Sequence, residues 1–111
     1  MPYVKRQLHR DLDPNHVQLV GVLRQELRPK TLVQDVFKDQ SAPVIIEEQM
    51  RNSDRLQVYV KWARWSGIRE DHRTAAILDA YEQELGRDYA GRIVIALGLT
   101  PDEARDLGIQ D

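Results

Sequence analysis

From Pro14 to Leu27 the chain carries His16, Val20, Leu23 and Leu27 at the spacing that puts them on one side of an α-helix. Asp13 stands where a capping side chain accepts from free backbone N–H groups, and Pro14 suits the first helical position. The spacing predicts a helix over residues 14–27. Pro29 stops it, because the residue before a proline is pushed out of the helical region. Residues 30–38, KTLVQDVFK, place Leu32, Val33, Val36 and Phe37 in a second short amphipathic helix, and DQSAP follows as a loop.

At Val44 the period changes from helical to alternating, and VIIEEQM, RNSDR and LQVYVKW read as strand, turn and strand of a β-hairpin. With a five-residue connection, Arg51 to Arg55, Met50 faces Leu56, Ile46 faces Val60 and Val44 faces Trp62. That register gathers Val44, Ile46, Met50, Leu56, Val58, Val60 and Trp62 on one face. A four-residue connection would scatter them over both, so the pattern favours the longer loop. Ile45, Glu47, Gln49, Gln57, Tyr59 and Lys61 are then expected on the opposite face, with Glu48 at the frayed edge of the apolar one, opposite Val58.

The second strand runs into VYVKWARW, residues 58–65, which holds two tryptophans, a tyrosine and two basic residues. Trp62 and Trp65 are an odd number of positions apart, so in a regular strand Trp62 joins the core and Trp65 lies near Tyr59 and Lys61 on the open face. If the strand instead ends or bulges near Ala63, Trp65 turns back over the edge of the core, the commoner fate of a large aromatic side chain.

REDHRTAAILDAYEQELG predicts a helix over about 70–85, with Glu70 and Asp71 at the positive end of its dipole and Gly86 as a left-handed cap. Ile77, Leu78, Tyr81 and Leu85 form its expected apolar stripe. Residues 92–97, within RIVIALG, form a short apolar run whose β-branched Ile93, Val94 and Ile95 favour a third strand over a helix. Thr100, Pro101, Asp102 and Glu103 open a last short helix that stops near Gly108. The order α-α-β-β-α-β-α predicts an α+β two-layer sandwich, a β-hairpin and a third strand packed by helices.

Composition changes this picture little. A chain of 111 residues, 41% hydrophobic and 31% charged, reads as a single compact domain over 1–111 and is long enough to bury a core. No apolar run reaches the length of a membrane span, and the basic start lacks the apolar segment of a secretory signal. The absence of cysteine rules out disulfides and thiol chemistry and fits a cytoplasmic location. Charge is uneven despite a net −2: Lys5, Arg6 and Arg10 make residues 1–12 a basic arm, whereas Asp102, Glu103, Asp106 and Asp111 crowd the other end.

Catalytic and metal-binding patterns are thin. His9, His16 and His72 are dispersed, with no second histidine three or four residues away. The serines lack a nucleophile elbow, no glycine-rich phosphate loop follows a strand, and the adjacent Glu47 and Glu48 point opposite ways on a strand. No catalytic residue, metal ligand or cofactor is expected, and a small enzyme is the weakest of the readings. The favoured reading is a small protein-interaction module that binds a protein partner or associates with itself through the open hairpin face or a free strand edge. Tyr59, Lys61 and Trp65 are its expected contact residues. The alternative is single-stranded nucleic-acid binding through Tyr59, Lys61, Arg64 and Trp65, which the acidic total charge disfavours.

Overall fold

In a computed structural model the chain is described over residues 14–28 and 41–109. The expected helix at 30–38, the Asp13 cap and the basic arm at 1–12 lie outside the described residues. The elements are α1 (Pro14–Leu27), β1 (Val44–Gln49), β2 (Leu56–Lys61), a 3-10 turn (Ala63–Trp65), α2 (Glu70–Leu85), α3 (Arg87–Ala90), β3 (Ile93–Leu99) and α4 (Pro101–Asp106). This is the α+β sandwich of a mixed sheet and helices. The sheet order is β1-β2-β3, with β1 antiparallel to β2 and β2 parallel to β3. A parallel neighbour needs a crossover, and α2 with α3 supplies it.

α1 buries His16, Leu19, Val20 and Leu23 against α2. Arg24 and Arg28 both reach Glu84 across the seam, at 3.1 and 2.8 Å. The inner stripe of α2 is Arg73, Ala76, Ile77, Ala80 and Tyr81, while Leu78 is half-buried and Leu85 is 39% exposed, so two members of the expected stripe flank the core. Gly86 ends the helix at φ 95° and ψ 163°, a region open essentially to glycine alone rather than the left-handed helical cap anticipated, and it lets α3 begin at the next residue. Thr100 and Glu103 form a full capping box at the start of α4, with Pro101 in the first turn.

The hairpin corrects the register expected from parity. Val44 pairs with Lys61, Ile45 with Val60, Ile46 with Tyr59, Glu47 with Val58, Glu48 with Gln57 and Gln49 with Leu56. The Met50 N–H donates to the Arg55 carbonyl at 2.8 Å, leaving a four-residue turn from Arg51 to Asp54. That turn is held locally: the Arg55 N–H donates to Ser53 Oγ at 3.0 Å, Gln49 Nε2 to the Ser53 carbonyl at 2.9 Å, and Asn52 takes φ 59°. One residue of slip exchanges the faces of a strand. Ile45 and Glu47 therefore point to the helix layer, and Val44, Ile46 and Glu48 to the far face, the reverse of the expected arrangement. Apolar parity alone misassigns β1, because Glu47 finds its partners, Tyr81 and Tyr89, on the helix layer.

Trp65 is also placed differently from the open-face expectation: it is fully buried. β2 stops at Lys61, Trp62 remains extended at φ −160°, and the 3-10 turn carries Trp65 back over the core. There its indole N–H donates to the Val60 carbonyl at 3.0 Å, and its ring meets the Trp62 ring edge-on with centroids 5.1 Å apart. Gly98 makes this possible, since a Cβ at that position would lie 2.8 Å from the Trp65 ring and 2.8 Å from Arg73 Cβ. Arg73 is buried as well and is held from three sides. Its guanidinium donates to the Ile68 and Gly98 carbonyls at 2.7 and 3.0 Å and to the Glu103 carboxylate at 2.6 Å. These bonds fasten α2, β3 and α4 together, as a buried cation requires.

Candidate protein-contact face

The alternation of β2 divides the sheet into two surfaces. Leu56, Val58 and Val60 are buried and face the helices, together with Ala96 and Gly98 of β3. Gln57, Tyr59 and Lys61 are half-buried and point the other way. Their neighbours across the ladders extend that outer face: Val44, Ile46 and Glu48 from β1, Ile95 and Leu97 from β3. A bulge between Leu56 and Gln57 leaves Val94 as an extra residue opposite the gap, and both Val94 and Ile95 are about two-fifths exposed. The outer face thus has an apolar middle row, Ile46, Tyr59 and Leu97, with Lys61 at one end and Glu48 at the other.

Of the residues singled out in the sequence, Tyr59 and Lys61 lie side by side on this face and Trp65 does not. The Tyr59 hydroxyl donates to Gln57 Oε1 at 2.9 Å, two residues along the same strand face, which holds the ring along β2. Arg64 lies over the Trp62 ring, 5.3 Å from its centroid, at the exit of the strand. Val44, Ile46, Ile95 and Leu97 were not anticipated here. The signal for them was the acid at position 47, since a carboxylate at mid-strand needs partners and the tyrosines of α2 and α3 provide them.

Glu47 lies at the exposed rim of the inner face, on the edge strand β1. Its carboxylate accepts from the Tyr81 hydroxyl and, at 3.0 Å, from the Tyr89 hydroxyl. The two rings are stacked with centroids 5.9 Å apart, and Arg92 lies 5.0 Å from the Tyr89 centroid. Burial and the neighbouring carboxylate push both phenols up, Tyr81 well beyond its ordinary range. Two donors on one carboxylate make a structural clasp between β1, α2 and α3. His16 is likewise engaged, its Nε2 lying 2.8 Å from Asp79 Oδ2 between α1 and α2. His72 is exposed in the first turn of α2. Among the described residues no three histidine, aspartate or glutamate side chains are grouped as a metal site, and no helix is long and apolar enough to cross a membrane.

Comparison with protein-family models yields no match, and neither do comparisons with curated proteins and with solved structures.

Proposed function

We propose that the protein is a small interaction module that associates with a second copy of itself through the outer face of the sheet. The observation that carries this reading is the apolar row Ile46–Tyr59–Leu97 on the side of the sheet opposite α2, bounded by a cation at one end and an acid at the other. A two-fold axis crossing the strands at this row sets apolar side chains against their own copies. It also brings the Lys61 end of one chain to the Glu48 end of the other, twice over. The apolar pattern of the face is thus complementary to itself. Strand spacing makes it roughly 14 Å by 20 Å, about 300 Å2, against about 800 Å2 per partner in a standard stable interface. The association is therefore of the small, transient class.

Nucleic acid is the less favoured partner. Trp65 supports the core from within, so an aromatic platform on this face is reduced to Tyr59, and Glu48 shares the surface. The test is the molecular mass in solution across a concentration series reaching several hundred micromolar. Mass rising from 12.9 kDa toward the dimer, and staying at the monomer value for Ile46→Asp with an unchanged melting temperature, supports the proposal. A constant monomer mass contradicts it. Steeply salt-dependent binding of single-stranded nucleic acid that Tyr59→Ala removes would put the function in the other class.

A further inference from the structure

At the hairpin end of the sheet, away from the face just described, a cleft of about 340 Å3 is lined by Asp54, Arg55, Arg87, Asp88, Gly91 and Arg92. It joins the β1–β2 turn to α3 and the start of β3. The charges in it are not spent on one another. Every ion pair that the described residues make among themselves is between other partners, apart from a long 3.9 Å contact of Arg87 with Glu82 outside the cleft. Among the described residues the side chains of Arg55, Asp54 and Asp88 have no ion-pair partner, though Asp54 gives its backbone carbonyl to Arg92.

Arg92 is the fixed member. Its Nε donates to the Asp54 carbonyl at 2.6 Å and its plane is seated against Tyr89, itself stacked on Tyr81 and clasped by Glu47. The terminal nitrogens of that guanidinium have no acceptor among the described residues. A guanidinium held in place with donors unspent, and two further exposed arginines that can close on the same space, make an anion site with one fixed member. The two carboxylates give the cleft a second character, because they accept from hydroxyl groups and repel a bare anion. Three cations against two acids also leave too little net charge for a purely electrostatic trap.

We infer that this cleft binds a small phosphate monoester carrying hydroxyl groups, the phosphate taken by Arg55, Arg87 and Arg92 and the hydroxyls by Asp54 and Asp88. Its volume lies at the lower end of small-ligand sites, suited to a ligand of sugar-phosphate size. The site is independent of the association proposed above.

The test is a titration followed by backbone amide resonances, at fixed ionic strength, with glucose 6-phosphate, glucose and inorganic phosphate as probes. Saturable shifts centred on Asp54, Arg55 and Gly91 are expected for the sugar phosphate, with an affinity at least tenfold above that of either glucose or phosphate alone. Arg55→Ala combined with Arg87→Ala should weaken it tenfold or more while the rest of the spectrum is unchanged, and Asp88→Asn should narrow the advantage of the sugar phosphate over inorganic phosphate. Absence of saturable binding, equal affinity for the ester and inorganic phosphate, or binding indifferent to the paired arginine substitutions would each overturn the assignment.

Discussion

The two faces of the sheet differ in how far they are covered: the inner one is closed along β2, whereas the outer one stays half-open there and is buried only at Leu99. On the inner face Val58 and Val60 are fully buried, and on the outer face Val44, Ile46 and Leu97 remain half-buried although their side chains are of the same kind. What differs is the size of the residues at the crossing and the fate of the polar groups. Ala76, Ala80, Ala96 and Gly98 let α2 and Trp65 approach the strands closely, and the polar atoms carried in with them are satisfied: Trp65 by Val60, Arg73 by Gly98 and Glu103, Thr74 by the Ala96 carbonyl. Among the described residues no buried side-chain nitrogen or oxygen lacks a hydrogen bond. Hydrophobicity alone gives a surface; small residues and matched donors turn it into a core.

Truncation separates the faces most strongly. Trp65→Ala should destabilise by about 3–5 kcal/mol, since it empties a sealed site and removes the indole donor of Val60, and Trp62→Ala should fall in the same range. Denaturant unfolding measures both, and midpoints close to that of the wild type would show that the inner face is not sealed. Next in size is Gly98→Ala, whose added Cβ meets Trp65 and Arg73 at 2.8 Å and should cost about 1–3 kcal/mol.

The register has its own test. In a double-mutant cycle, Glu47→Ala and Tyr81→Phe should couple by about 0.5–3 kcal/mol, whereas Glu48→Ala and Tyr81→Phe should add independently. Coupling at position 48 instead of 47 would restore the register expected from apolar parity.

Acid should loosen the α4 corner. Thr100 backbone and Arg73 hold the Glu103 carboxyl below the ordinary carboxylate range, so its proton binds the unfolded chain more readily than the folded one. The stability it confers is present above the ordinary carboxylate range and lost as pH falls through the lowered value. Melting temperatures recorded from pH 7 to pH 3 should therefore fall less steeply for Glu103→Gln than for the wild type. The smallest effect belongs to the outer face: Glu48→Lys and Lys61→Ala should each lie within about 0.5 kcal/mol of the wild type.

Most of the elements were legible in the sequence because each carried its own punctuation. Pro14, Gly86 and the Thr100-Pro101 cap bracket the helices, and the β-branched run from Ile93 reads as the strand it is. β2 was legible too, since its alternation is strict. β1 was not: VII is apolar on both faces and EEQ polar on both, so its parity carries no information, and a long-range bond from Tyr81 to Glu47 decides it. Trp65 takes the course expected if the strand ends near Ala63: beyond Lys61 a 3-10 turn carries it back over the core into the space left by Gly98, more than thirty residues on, so it drops out of the expected contact residues. Of the contact residues expected, Tyr59 and Lys61 lie on the outer face, and the apolar residues beside them became visible only with the register.

The most direct test of the division into a sealed and an associating face is residue-resolved. Methyl and amide resonances recorded on serial dilution should shift at Val44, Ile46, Tyr59, Ile95 and Leu97 and stay fixed at Val58, Val60 and Ala96. Concentration-dependent shifts confined to other surfaces, or none at any concentration, would contradict the account.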